Sequence, residues 1–218
     1  MLELGNIIIH ATGHDGFLIE WNNLNIYIDP FKLSELPSEQ QQYLQAHKAH
    51  YIVTTHPHFD HLSKEDIEFV ETENTVILSP ECCKSLQTKN HWQILNVGET
   101  FTQNEITFEG VHAYNVDKKF HTKEMKFIGV VVTVGGKRIY HAGDTDVIEE
   151  MKELRNIDVA LLPVSGTYTM TAEEAVVCAK EYVKSEIYVP MHWDRIVGDV
   201  EMAKHFCENV KGAVLPSF

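Results

Sequence analysis

Three imidazoles and a carboxylate, all able to bind metal, crowd into the run Thr55-His56-Pro57-His58-Phe59-Asp60-His61. Imidazole nitrogen and carboxylate oxygen suit Zn, Mn and Fe, and an ion with an open position turns water into a nucleophile near neutral pH. The chemistry in view is metal-assisted hydrolysis. A polar loop with scattered histidines is the competing reading, and it leaves the spacing unexplained.

The flanking residues read as the elements that hold this run. Ala49-His50-Tyr51-Ile52-Val53-Thr54-Thr55 is apolar and β-branched, a buried strand. Leu62 to Val70 reads as a helix with Ser63 as N-cap and Asp66 three residues on, close to a capping box. The ligands therefore sit where a strand ends and a helix begins. An extended chain points His56 and His58 to one side, and Asp60 and His61 follow in the turn. That arrangement suits neighbouring ions better than one closed tetrahedral zinc.

Three further segments extend the pattern: Gly13-His14-Asp15-Gly16-Phe17-Leu18-Ile19, Tyr140-His141-Ala142-Gly143-Asp144-Thr145 and Pro190-Met191-His192-Trp193. Together, and in this order, the four motifs resemble the metallo-β-lactamase superfamily. Within it the chain looks similar to metal-dependent hydrolases related to L-ascorbate-6-phosphate lactonase. The resemblance implies one or two divalent ions, Zn or Mn foremost and Fe also compatible. It implies His56 and His58 on a first ion, Asp60, His61 and His192 on a second, and Asp144 bridging. It also implies an α/β fold, the αββα four-layer sandwich.

One position departs from the superfamily pattern. Where a third histidine usually completes the first site, Ala113-Tyr114-Asn115 places Asn115. The lactonase branch lacks that histidine too, so the departure points toward it. His112 and His121 flank the position; His121 is the favoured substitute ligand, with a solvent-side or supporting role for both as the alternative. Asn115 itself is then a candidate for substrate contact.

The expected reaction is attack by metal-activated hydroxide on a small ester, lactone or phosphodiester. Asp60 would orient the nucleophile, and His14 would donate a proton to the leaving group or be a turn histidine with no catalytic role. Ser165-Gly166-Thr167-Tyr168-Thr169-Met170 lies between a buried strand and a helix, where backbone N–H groups favour anions. Thr167 and Tyr168 are candidate substrate contacts there, although a turn plus a Thr171-x-x-Glu174 capping box explains most of the same residues. Lys118, Lys119 and Lys123 form a basic cluster, read either as a solvated loop or, with Lys119 foremost, as a contact for a substrate phosphate or carboxylate. Trp193, Asp194 and Arg195 follow His192 as supporting or surface residues.

Composition narrows the classes. With 18 basic and 32 acidic residues the formal charge is −14, which opposes a polyphosphate chain, so a small-molecule substrate is expected and no nucleic acid. No apolar run approaches the roughly 20 residues needed to cross a bilayer, and Met1-Leu2-Glu3-Leu4 lacks a basic leader start, so no membrane association and a cytoplasmic location are expected. Cys82, Cys83, Cys178 and Cys207 lack metal-site spacing, and reduced thiols are the default. A length of 218 residues suits one hydrolase domain over 1–218. Two alternatives stand outside hydrolysis. A di-iron oxidoreductase of the same superfamily would carry glutamate where His58 stands. A non-catalytic metal-binding protein would retain the fold without turnover.

Periodicity predicts strands at Asn6–His10, Phe17–Trp21 and Asn25–Asp29, with turns at Gly13–Gly16 and Asn22-Asn23. A helix over 34–48, a strand over 51–55, a helix over 63–71, a strand at Thr75–Ser79 and a helix from about Pro80 follow. Strands at Ile106–Ala113, Phe127–Val134 and Arg138–His141 are joined in part by a Gly135-Gly136 turn. A helix over 146–155, a strand at Asp158–Leu162, a helix over 171–183, a strand over 187–191 and a helix over 199–209 close the chain.

Overall fold

The computed structural model of the protein describes residues 1–86 and 91–218. It resolves into two compact units, Met1–Leu95 with Ser217–Phe218, and Asn96–Pro216.

The first unit is built on a seven-stranded sheet in the order β1 to β7 among the described residues. Its strands are β1 (Leu2–Leu4), β2 (Ile7–Gly13), β3 (Gly16–Trp21), β4 (Leu24–Ile28), β5 (Tyr51–Val53), β6 (Val76–Ser79) and β7 (His91–Ile94). β1 to β4 pair antiparallel and β4 to β7 parallel. The β3–β4 turn places Asn22 and Asn23 at φ 47° and 63°, the left-handed pair a two-residue hairpin needs. Parallel pairing requires crossovers, supplied by α1 (Ser38–Ala46) and α2 (Lys64–Val70). Leu18, Tyr27, Leu44, Ile52, Ile67 and Ile77 form the core beneath them. α1 starts later than expected, because Pro37 forces Leu36 into extended backbone (φ −67°, ψ 156°), and Leu33–Glu35 makes a separate 3₁₀ turn. Ser63 caps α2 by accepting from the Asp66 N–H. Asp66 does not close the box; its buried carboxylate accepts from the N–H groups of Lys32 (2.8 Å) and Leu33 (2.7 Å) and so pins that turn. Where a helix is expected from Pro80 the structure has a 3₁₀ helix, Glu81–Leu86; the part of that expectation beyond Leu86 falls on residues outside those described.

The second unit holds a six-stranded sheet in the order β13-β12-β11-β10-β9-β8. The strands are β8 (Thr100–Gln103), β9 (Ile106–His112), β10 (Ile128–Val134), β11 (Lys137–His141), β12 (Ile157–Pro163) and β13 (Ser185–Met191). β8 to β11 form an antiparallel meander, and β11 to β13 run parallel. Gly135 and Gly136, at φ 56° and 77°, make the expected β10–β11 turn. α3 (Ala172–Val177) continues as a π-helical turn, Cys178–Tyr182, and α4 (Val200–Asn209) is capped by Asp199. Over 146–155 the chain forms only a 3₁₀ helix, Glu149–Glu153. The Asp146 carboxylate accepts from the Val116 N–H at 2.9 Å and pairs with Lys118, which holds this stretch against the 114–118 segment instead of starting a helix. Among the described residues no helix is long and apolar enough to cross a membrane.

Candidate metal centre

Each unit carries a cluster of ligand-type side chains beyond the carboxyl ends of its parallel strands, where open α/β sheets place their binding groups. In the first unit the His56–His61 loop leaves β5 and closes one helical turn, with the N–H groups of His61 and Leu62 donating to the His58 carbonyl. Its anchor is Asp29, fully buried at the end of β4 with φ 43°. Asp29 accepts from the Thr55 N–H (2.8 Å), the Thr55 hydroxyl (2.6 Å) and His61 Nδ1 (2.8 Å).

These contacts set proton positions. Asp29 is acceptor-only when ionised, so His61 carries its hydrogen on Nδ1 and turns a lone pair outward at Nε2. With its hydrogen committed to Asp29, the Thr55 hydroxyl accepts from His56 Nδ1 at 3.0 Å, which leaves His56 Nε2 as a lone-pair donor as well. His56 Nε2 lies 3.0 Å from His58 Nδ1, a spacing that a neutral pair fills with one hydrogen bond and a cation fills by binding both. Asp60 Oδ2 stands 3.3 Å from His14 Nε2 and 3.8 Å from His61 Nε2. One donor atom each from His14, Asp60 and His61 falls within 4.8 Å of the others. Asp15, fully buried, lies 3.8 Å from His61 Nδ1.

In the second unit Asp144 is the centre, on the loop leaving β11. Its Oδ1 is 3.3 Å from His192 Nε2 and its Oδ2 is 3.1 Å from His121 Nε2, with all three side chains buried. Gly129 on β10 permits this loop its path, since a Cβ there would sit 2.8 Å from the Ala142 carbonyl oxygen and 2.9 Å from that of His141. Of the two histidines flanking Asn115, His121 is the one beside Asp144; His112 packs edge-on to Tyr114 instead. His121 adopts φ 57°, and Asn115 holds the loop that presents it. The Asn115 amide donates to the carbonyls of Phe120 (3.0 Å) and Tyr168 (2.6 Å), and its own N–H donates to the His121 carbonyl (2.7 Å).

The remaining candidates separate. Thr167 is exposed, and Tyr168 meets the Phe120 ring edge-on at 5.2 Å. The Thr171–Glu174 capping box forms in full. Lys118 pairs with Asp146, and Lys123 pairs with Glu150 at 2.6 Å beneath the Tyr114 ring. Burial pushes the Glu150 carboxyl up, but the Lys123 ammonium, a backbone N–H and the Tyr114 hydroxyl outweigh it and hold the group at about 2. Lys119 is exposed and enters no ion pair among the described residues. Asp29, Thr55 and Asp15 escaped the sequence reading; an Asp-Pro pair closing a strand is the only local sign of the first.

Residues 8–192 match the family model described as a β-lactamase superfamily domain. The chain is similar to a UPF0173 metal-dependent hydrolase of Symbiobacterium thermophilum, with 32% identity over 212 residues, 93% of this chain and 91% of that protein. A Parabacteroides distasonis crystal structure, described provisionally as a metal-dependent hydrolase, matches at TM-score 0.79 and 31% identity over 96% of this chain and 92% of that one. Igni18, a metallo hydrolase of Ignicoccus hospitalis, matches at TM-score 0.75 and 25% identity over 97% and 95%.

Proposed function

This chain belongs to the metallo-β-lactamase superfamily of metal-dependent hydrolases, and we propose that it cleaves a small ester, lactone or phosphodiester as a member of the lactonase-like branch. The family match runs from 8 to 192 and crosses the boundary between the units, which supports reading 1–218 as one hydrolase domain. We place it in the cytoplasm, acting on a small molecule.

The observation that carries the reading is the proton arrangement in the His56–His61 loop. Asp29 and Thr55 hold His56 and His61 with Nδ1 protonated, so both Nε2 atoms are lone-pair donors, the form a divalent ion requires. The donor set of imidazole and carboxylate fits Zn, Mn or Fe. His56, His58, Asp60, His61, His121, Asp144 and His192 are the proposed ligands of one or two ions. When bound, such an ion supplies Lewis acidity and brings the pKa of water toward neutrality.

The chain's own groups do the rest. Asp60 accepts a hydrogen from the attacking water and orients it. His14, whose Nε2 lies 3.3 Å from Asp60, carries a hydrogen there and donates to the leaving oxygen. Within the Lys118, Lys119 and Lys123 cluster, Lys119 is the one that enters no ion pair among the described residues, and it meets a negative group on the substrate, with Asn115, Thr167 and Tyr168 as further contacts. Hydrolysis assays over lactone, ester and phosphodiester panels, on chain reloaded with Zn or Mn, test the proposal. His58→Ala and Asp144→Asn should fold, lose bound metal and lose turnover; retained activity in either would sink the assignment.

A further inference from the structure

We propose that Ser165 and Thr169 are positioning residues for His192: their hydroxyls form a one-way relay that keeps the imidazole protonated on Nδ1 and its Nε2 lone pair exposed to a metal ion. The direction follows from the far end. Thr169 Oγ1 donates to the Met170 carbonyl oxygen at 3.4 Å, a group that only accepts. In the proposed relay Ser165 Oγ, 3.2 Å from Thr169 Oγ1, gives its hydrogen to Thr169. Toward His192 Nδ1, 2.9 Å away, Ser165 is then left as an acceptor, and in this relay that nitrogen holds the proton.

Burial confines the relay to these groups. Ser165 is 3%, Thr169 0% and His192 1% exposed, so water does not offer a substitute partner to any of them. In the fixed tautomer Nε2 and Asp144 Oδ1 face each other as two acceptors 3.3 Å apart, an arrangement that a cation between them relieves. The device differs from the one holding His61, where a carboxylate fills the same role. The ligand role of Nε2 rests on the proposed function; the tautomer does not.

Histidine ¹⁵N spectra of metal-free and zinc-loaded chain at alkaline pH, with the His192 signals identified by their loss in His192→Gln, read the proton position directly. Zinc affinity by chelator competition gives the second readout. The relay predicts Nδ1–H in the parent protein. In Ser165→Ala and in Thr169→Val, which tests the relay without touching Ser165, the metal-free tautomer should shift toward Nε2–H. Zinc affinity should fall about 10- to 100-fold in Ser165→Ala, the usual cost of losing such a support, while Ser165→Thr retains both properties. An Nε2–H tautomer in the parent protein, or unchanged tautomer and affinity in both Ser165→Ala and Thr169→Val, overturns the proposal. Because the proton position is read without substrate, a failure to find hydrolysis leaves a distinct result.

Discussion

Asp29→Asn gives the sharpest test of how the first cluster is held. The carboxylate takes two hydrogens on Oδ2, from the Thr55 hydroxyl and His61 Nδ1, and one on Oδ1 from the Thr55 N–H. An amide of the same shape has one oxygen and one NH₂. With its oxygen in the Oδ2 position, the NH₂ confronts the Thr55 N–H. Reversed, it confronts His61 Nδ1–H and drives that ring toward Nε2–H, in which Nε2 has no lone pair for a metal. Either way one buried donor loses its acceptor, which costs about 1–3 kcal/mol. At roughly 2–4 °C per kcal/mol for a chain of this size, metal-free protein should melt about 2–12 °C lower. Zinc affinity should fall about 10- to 100-fold, so the extra stability conferred by saturating metal shrinks by roughly 1.4–2.7 kcal/mol. Thermal melts with and without zinc, plus chelator competition, measure both. Unchanged metal-free stability together with unchanged zinc affinity would refute the claim that Asp29 sets the proton on His61.

Lys119→Ala should raise KM for anionic substrates several-fold with little change in kcat, while Lys118→Ala, whose partner is Asp146, leaves that KM alone; equal effects in steady-state kinetics would remove Lys119 from the substrate site. The Lys123–Glu150 pair sets a second expectation. Because the folded carboxyl is depressed to about 2, its stabilisation is full above the unfolded carboxylate pKa and is lost as pH falls through about 2. Lys123→Met should return the Glu150 carboxyl toward its ordinary value in an NMR titration, with only a small stability loss near neutral pH, since the pair is largely solvent-screened. A Glu150 titration unmoved by that change would assign the depression to other groups.

How much of this was legible in the sequence varied with the range of the interactions. The His56–His61 run, the Ser63 cap of α2, the hairpin turns at Asn22-Asn23 and Gly135-Gly136 and the buried strands β4, β5, β10 and β12 all announce themselves locally through spacing, turn chemistry and apolar runs. The metallo-β-lactamase fold was legible from four short motifs in order. β1, β7 and β8 were not, and each is an edge strand with at most half-buried residues, paired because a neighbour offers its free backbone rather than because its own side chains demand it. Asp29 was hidden for another reason: its partner His61 is 32 residues away, and only the fold brings them to 2.8 Å. Ser165 likewise meets His192 across 27 residues, where Gly166 and the Thr171 capping box drew attention to the turn alone. His121 was already the favoured of the two histidines flanking Asn115, and its Nε2 lies 3.1 Å from Asp144 while His112 packs against Tyr114.

The central claim, a chain that works through bound divalent metal, is tested most directly by elemental mass spectrometry of protein purified without chelator or histidine tag. One or two equivalents of Zn, Mn or Fe per chain, reduced in Asp144→Asn, is the predicted result. A metal-free protein that takes up none of these ions on reconstitution would contradict it.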